Sequence, residues 1–149
     1  MFRKIITSLT GQLFIALLGL GIVSACSIGS GDTQNHKSQL KNTQWIIKSL
    51  GGKPVPTTHL PTISFTSDRV AGFNGCNRFS GYYRAGNDAA LNLGSLVSSR
   101  VACSSPADEL EQQVNEKLAQ SQMYAITRND LVLMNGERKV LMTFAQARP

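Results

Sequence analysis

The sequence predicts an α+β domain in which a curved, mostly antiparallel sheet, half-barrel-like in shape, wraps around one main helix. Short segments of apolar and polar residues in alternation recur along most of the chain, and only a few turn residues separate them. Such short connections favour antiparallel pairing, because a parallel crossover needs a dozen residues or more. One amphipathic helix interrupts the series, and strands follow it again. We therefore expect a single strongly curled sheet that covers this helix.

The first 25 residues have the features of an export signal. Arg3 and Lys4 give the chain a positive start, and an apolar run, 13–23, follows them. This run is short for a membrane span, which takes about 20 apolar residues. We predict a signal peptide at 1–25, with a single anchor helix as the alternative.

The end of the apolar run resembles the cleavage site of bacterial lipoproteins, in which small residues precede a cysteine that receives the lipid. Here Ser24 and Ala25 precede Cys26. The resemblance implies that Cys26 is lipidated and attaches the protein to a membrane, whereas in a plain secretory signal this cysteine would be incidental. Ser27 after the cysteine implies the outer membrane, with the protein facing the periplasm of the bacterial cell envelope.

The segment 26–41 is rich in Ser, Gly, Asn, Gln and Lys and nearly free of apolar residues. Such a composition cannot bury enough apolar surface to fold, so we predict a flexible tether. The globular domain is then predicted at 42–145.

The net charge of the chain is +6, and it falls to +4 if Arg3 and Lys4 leave with the signal peptide. The remaining basic residues are scattered along the chain and form no run, which argues against a nucleic-acid partner for an exported protein. A mildly basic surface can favour anionic lipid or peptidoglycan. We interpret the scattered charges as an ordinary solvated surface.

Strands before the helix are predicted from alternation and from β-branched and aromatic residues. Trp45 is the largest apolar residue of the first strand and is the predicted core anchor. Prolines at 54, 56 and 61 make the following connection irregular. The predicted strands are 45–50, 62–65, 69–73, 77–84 and 90–93, and the segment 96–102 is predicted to be extended.

The stretch 72–83 contains three glycines and is the expected site of sharp turns. Asn74-Gly75 predicts a two-residue hairpin turn of type I′, because both residues tolerate a positive φ. Cys76 follows directly, so the hairpin would hold one sulfur atom in a defined place.

The helix is predicted from its start signals and its apolar stripe. Ser105 is the predicted N-cap and Pro106 the first helical position. The early carboxylates of Asp108, Glu109 and Glu111 suit the positive end of the helix dipole. Ala107, Leu110, Val114 and Leu118 form one apolar stripe, which favours a helix laid against a sheet over a partner-binding helix. The strands predicted after it are 124–127, 131–134 and 140–144.

Two cysteines remain if Cys26 carries a lipid. In an oxidising compartment Cys76 and Cys103 are expected to pair, which would close a loop of about 28 residues and stabilise the fold by about 3.5 kcal/mol. The alternative is two buried thiols that pack as small apolar groups.

Taken together, the residues 42–145 resemble a META domain of the HslJ type. The resemblance rests on Gly75-Cys76-Asn77-Arg78-Phe79-Ser80-Gly81 and on Arg100-Val101-Ala102-Cys103, with Trp45 near the start. Ser99 stands where the family usually has Thr, and Ser104-Ser105 separate Cys103 from Pro106, which commonly follows it directly. The family implies a small α+β fold, exported or lipid-anchored in bacteria and linked with stress and the envelope. It implies no catalytic activity and no cofactor.

No catalytic set accompanies these motifs. A thiol nucleophile needs a base, and the two histidines are His36 in the tether and His59 in the proline-rich loop. No Cys/His pairs have metal-ligand spacing, and the helix-start carboxylates do not form a hydrolytic pair. Arg100 is a candidate for binding an acidic group, although we favour hydrogen bonds to carbonyl groups as its role.

These observations favour a non-enzymatic, lipid-anchored protein of the cell envelope that binds another envelope component, protein or ligand. A second possibility is a pilot-like lipoprotein that chaperones a secretion component of the outer membrane; an apolar groove between sheet and helix would favour it. A third is a thiol enzyme, which would require Cys76 or Cys103 to be free.

Overall fold

The computed structural model describes residues 39–86 and 88–147. Cys26, the predicted signal peptide and nearly all of the predicted tether lie outside these residues. The described strands and helix are, in chain order, β1 Thr43–Leu50, β2 Lys53–Pro54, β3 Thr62–Phe65, β4 Arg69–Phe73, β5 Arg78–Ala85, β6 Leu91–Leu93, β7 Val97–Ser98, α1 Ala107–Gln120, β8 Met123–Thr127, β9 Asp130–Met134 and β10 Val140–Gln146.

The strands form one antiparallel sheet in the order β6-β5-β4-β3-β1-β10-β9-β8, with β2 added to β1 and β7 to β5. The two ends of the sheet approach each other. The Leu91 amide donates to the Gln122 carbonyl over 2.8 Å, and the Tyr124 amide donates to the Ala89 carbonyl over 2.9 Å. The sheet is therefore a nearly closed half-barrel, and the predicted α+β fold is confirmed.

The core lies inside this curved sheet. Trp45, the predicted anchor, is 2 % exposed, and its indole NH donates to the Thr43 hydroxyl over 2.8 Å. In β1 the side chains of Trp45, Ile47 and Leu50 are buried. The interval between Ile47 and Leu50 is three residues because the pairing of β1 with β10 shifts register between Ile47 and Ser49. Aromatic packing adds to the core, since the rings of Phe65 and Tyr83 meet edge to face at 5.0 Å.

Helix α1 packs against β1 and β10, with Val114 and Leu118 buried and Leu110 half-buried against the core. The prediction of a helix laid against a sheet is thus correct. Its start is different from the prediction. Pro106 occupies the N-cap position, and Ser105 does not cap, because its hydroxyl donates to the Glu109 carboxylate.

The limits of β3 and β4 match the prediction, and those of β1, β5, β6, β8, β9 and β10 differ from it by one or two residues. β2 was not predicted; it pairs with the end of β1 inside the proline-rich connection that we expected to be irregular. Of the predicted extended segment 96–102, only Val97–Ser98 pairs in the sheet. Leu40, which falls in the predicted tether, is fully buried, and the Thr43 hydroxyl donates to its carbonyl over 2.5 Å. The folded part therefore includes this residue. No helix within residues 39–86 and 88–147 has the length and apolar character to span a bilayer.

Candidate functional site

The loop between β4 and β5 is formed by residues 74–77 and differs from the predicted turn. The Asn74 amide donates to the Asn77 carbonyl over 2.9 Å, so four residues make the connection. Gly75 has a φ of +108°, whereas Asn74 is not among the residues with a positive φ. A type I′ turn was therefore the wrong prediction. The loop conformation depends instead on side-chain hydrogen bonds, which local backbone preferences do not reveal.

Asn74 holds this loop from inside the protein. Its side chain is fully buried. Its Oδ1 accepts hydrogen bonds from the amides of Cys76, at 3.2 Å, and Asn77, at 2.7 Å. Its Nδ2 donates to Glu111 Oε1 and to Asn115 Oδ1, both at 3.1 Å. One side chain thus fixes the loop and joins it to the helix.

Asn77 joins the same loop to the segment that precedes the helix. It is 4 % exposed. Its Oδ1 accepts from the Ser99 hydroxyl at 2.7 Å and from the Val101 amide at 2.8 Å. Its Nδ2 donates to the Val101 carbonyl at 3.0 Å and to Glu111 Oε2 at 2.9 Å. We call Asn74, Asn77, Glu111 and Asn115 the asparagine cluster.

Glu111 has a role that the sequence did not reveal. Each of its carboxylate oxygens accepts a hydrogen bond from one asparagine of the loop, so it is more than a helix-start charge. Asn115 lies one helical turn further along and faces the same loop. The available signal was the spacing of four residues between two polar side chains, which places them on one side of a helix.

Cys76 and Cys103 are bonded to each other, with their Cα atoms 6.1 Å apart. The bond joins the β4–β5 loop to the segment that enters α1. The same loop and segment are also connected by the hydrogen bonds that Asn77 accepts from Ser99 and Val101. Because both sulfur atoms are bonded, neither is a thiolate nucleophile in this structure.

The motif glycines are required by close packing. A Cβ on Gly75 would lie 2.9 Å from the Leu110 side chain, and one on Gly81 would lie 2.8 Å from both the Leu96 side chain and the Ser95 carbonyl oxygen. Gly75 also has a positive φ, which side chains disfavour. Both glycines therefore allow the β4–β5 hairpin to contact its neighbours.

Arg100, the remaining motif residue, does not make the hydrogen bonds to carbonyl groups that we favoured. Its side chain is exposed and has no hydrogen-bond or ion-pair partner in the part of the chain that the structure describes. The adjacent Val101 supplies backbone groups to Asn77 instead. The motif around Cys103 thus acts through its backbone, its serine hydroxyl and its sulfur.

The chemistry available to the described residues is limited. Burial, with a smaller contribution from Tyr83, raises the pKa of Tyr124 to about 12, and burial together with Asp68 raises the pKa of Tyr83. Both tyrosines lie in the core and are neutral at physiological pH. Among residues 39–86 and 88–147, no three His, Cys, Asp or Glu side chains are placed to hold a metal ion.

An open groove lies beside the first half of α1. It encloses about 230 Å³ between the helix and the segment after β1, which contains β2 and the proline-rich loop. Its walls are mostly apolar and its rim is polar. The lining residues are Leu50, Lys53, Pro54, Val55, Pro56, Thr58, His59, Pro106, Ala107, Glu109, Leu110 and Gln113. We call it the helix groove.

Comparison with known proteins is consistent with this architecture. The model of the META domain family matches residues 38–148. Heat shock protein HslJ of Escherichia coli (strain K12) is 26 % identical over 132 residues, which cover 87 % of this chain and 94 % of HslJ.

Solved structures have the same fold. One NMR structure is 30 % identical, with a TM-score of 0.59, over 73 % of this chain and 92 % of its own. An NMR structure of a Burkholderia xenovorans protein has a TM-score of 0.64 at 21 % identity, over 76 % of this chain and 87 % of its own. The chain belongs to the META domain family.

Proposed function

We propose that this chain is a non-enzymatic, lipid-anchored protein of the bacterial cell envelope whose META domain binds another envelope component during stress. The stress connection is supported by the similar protein HslJ, which is named a heat shock protein. The observation that carries the non-enzymatic part is the asparagine cluster. Asn77, the motif residue of this cluster, and Asn74 beside it are buried, and their side chains are hydrogen-bonded to Glu111 and to backbone groups, so they serve the fold.

The anchor would be a lipid on Cys26, in the outer membrane and facing the periplasm. The residues before and after this cysteine support it, as does the polar segment 26–41. A tether of this length keeps the domain near the membrane surface and raises its effective concentration there. Weak binding to an envelope component then suffices for function.

The helix groove is the binding place that the geometry favours. Its apolar walls can bury an apolar group of a partner, and its polar rim, with Lys53, His59 and Glu109, can orient it. The groove also favours the second candidate, a pilot-like chaperone for a secretion component of the outer membrane. The packed core inside the sheet counts against an extensive internal groove of the kind a long peptide would need.

Metabolic labelling with a palmitate analogue tests the anchor. We expect the wild-type chain to be labelled and Cys26→Ser to be unlabelled, because the thiol carries the lipid. Cys76→Ser/Cys103→Ser serves as the matched control and is expected to remain labelled. An unlabelled wild-type chain in cells with active lipoprotein processing would rule out the anchor.

Site-specific photo-crosslinking in intact cells tests the groove. A crosslinker at Thr58, on the groove rim, is expected to capture one defined envelope partner, with a higher yield under heat stress. The same crosslinker at Thr127, exposed at the end of β8, is expected to capture none. A secretion component as the partner would favour the pilot role, and equal capture from both positions would contradict a groove-based function.

A further inference from the structure

The outer face of the β4–β5 hairpin carries three arginines from two neighbouring strands. Val70 in β4 and Phe79, Gly81 and Tyr83 in β5 face the core. Side chains alternate along a strand, so their neighbours face outward. The outward residues include Arg69, Arg78, Tyr82 and Arg84, all of which are exposed.

The pairing register joins these residues into one surface. Arg69 is opposite Tyr82, and Arg78 is opposite Phe73. On the other side of β5, Val97 is opposite Ser80 and therefore also points outward. Outward positions follow one another at about 7 Å along a strand, and neighbouring strands are about 5 Å apart. We call Arg69, Arg78, Tyr82, Arg84 and Val97 the arginine face.

The charges of this face are not neutralised within the domain. None of the three guanidinium groups forms an ion pair with a carboxylate among the residues that the structure describes. Asp68, next to Arg69 in the β3–β4 turn, lies close to Tyr82 and Arg84 but forms no ion pair with the arginines. The Arg69 guanidinium lies over the Tyr82 ring, 4.8 Å from its centroid, in a contact that does not neutralise its charge.

Apolar groups are exposed between these charges. Tyr82 is 61 % exposed and Val97 is 72 % exposed, which is high for side chains of their kind in a sheet. Tyrosine and arginine together are typical of a surface that contacts the headgroup region of a bilayer, where the ring enters the interface and the guanidinium binds phosphate.

We propose that the arginine face docks the domain onto a bilayer surface that contains anionic lipids. This inference rests on the proposed envelope location, because a membrane must be within reach of the domain. A membrane fits better than an acidic protein for two reasons. The arginines are spread over an outward sheet face and do not converge on a pocket, and exposed apolar side chains lie between them.

The docked domain would have a defined orientation. With the arginine face on the lipid, the helix groove lies on a different part of the molecule, formed by α1 and the loop after β1. Its partner could then bind while the domain stays at the surface. Docking thus deepens the proposed function by adding a second, reversible contact to the lipid anchor.

Vesicle binding by the full chain tests the proposal. Binding of the wild type to vesicles of phosphatidylcholine alone is compared with binding to vesicles that also contain phosphatidylglycerol. We expect the anionic vesicles to bind more tightly, and we expect the variant R69Q/R78Q/R84Q to lose about fivefold per arginine, or roughly a hundredfold in all. Salt at about 1 M should remove the difference, because it screens the charges.

The matched control is R128Q/R138Q/K139Q, which removes the same charge from exposed positions on the β8–β9 and β9–β10 turns. Its binding to anionic vesicles is expected to change less than threefold. Because both variants retain residues 1–38, a contribution of that segment to binding is common to all three proteins. Thermal unfolding of each variant checks that the fold is intact.

Three outcomes would overturn the proposal. The first is an equal loss in both variants, which would indicate a general charge effect. The second is unchanged binding of R69Q/R78Q/R84Q. The third is binding of soluble polyglutamate at least as tight as binding to vesicles and equally dependent on the arginine face, which would indicate an acidic protein partner. The palmitate labelling of Cys26 is independent of all three results, so failure of docking and failure of the anchor are distinguishable.

Discussion

The two regions that meet α1 differ in almost every physical respect. In the asparagine cluster, on the side of the β4–β5 loop, the two loop asparagines are buried, all four side chains are hydrogen-bonded, and a disulfide joins the same loop to the segment before α1. The helix groove, on the side of the loop after β1, is open and lined by apolar walls. The motif residue Asn77 and the two motif cysteines belong to the first region, and no motif residue lines the second. In this fold the motif residues therefore connect the sheet to the helix, and the helix groove, which contains none of them, is the better candidate for a binding site.

Asn77→Ala should have the largest effect. It removes the acceptor of the Ser99 hydroxyl and the Val101 amide and one donor to the Glu111 carboxylate. Leaving several buried polar groups unpaired should lower the free energy of unfolding by about 3 to 5 kcal/mol. Urea unfolding of the variant and the wild type measures this difference in the free energy of unfolding. Asn92→Ala, at an exposed position of β6, is the control and should change stability by less than about 0.5 kcal/mol. Equal effects would contradict the distinction between the cluster and the surface.

Removal of the disulfide should come next. Cys76→Ser/Cys103→Ser is expected to lose about 3.5 kcal/mol, because the bond restricts a loop of about 28 residues in the unfolded chain. Addition of dithiothreitol to the wild type should lower its stability to that of the variant. The variant itself should not respond. If dithiothreitol left the urea midpoint of the wild type unchanged, the disulfide would add nothing to stability.

Glu111→Gln tests whether the carboxylate of α1 stabilises the fold through its hydrogen bonds to the loop. Both carboxylate oxygens accept bonds from amide NH₂ groups, and glutamine would place its own NH₂ group against one of them. We expect a loss of about 1 to 3 kcal/mol. Glu137→Gln, in the exposed β9–β10 turn, removes the same charge and should be nearly neutral. Similar losses for the two variants would mean that net charge, and not hydrogen bonding, matters.

Gly75→Ala and Gly52→Ala separate packing from backbone strain. Both glycines have a positive φ, but a Cβ on Gly75 would meet Leu110 at 2.9 Å, whereas one on Gly52 would meet nothing within 4 Å. Strain at either position costs about 1 kcal/mol or more. Gly75→Ala should lose about 1 to 2 kcal/mol beyond that, because the contact between loop and helix must open. Thermal unfolding of the pair checks the difference, and equal losses would show that Leu110 can move aside freely.

The smallest effect is expected in the helix groove. Gln113→Ala, on its exposed rim, should leave stability within about 0.5 kcal/mol, since alanine is also a good helix former. The same variant should weaken crosslinking to the partner from Thr58. A large loss of stability here would mean that the groove is part of the structural core.

Most strands of the sheet were predictable because each depends on a local pattern, but β2 and the short extent of β7 were not. The limits of β3 and β4 follow from their apolar residues and from the turn residues 66–68 between them, since successive side chains of a strand point to opposite faces of the sheet. The N-cap and the β4–β5 turn were not predictable in the same way. Ser105 bonds to Glu109, and Asn74 bonds to the backbone of its own loop and to the helix. These side-chain hydrogen bonds replace the N-cap bond and the turn geometry that local sequence preferences predict.

The amino-acid sequence by itself determined most of the strands, the helix and its apolar stripe, and the α+β class, because periodicity is a property of residues that are close in the chain. Only the tertiary structure decided which distant groups meet. It placed Glu111 between two asparagines of a remote loop, and it aligned Arg69, Arg78 and Arg84 on one outer face. The contacts of Glu111 depend on packing between residues more than 30 positions apart, and the arginine alignment depends on the pairing register of β4 and β5, which only the folded hairpin shows.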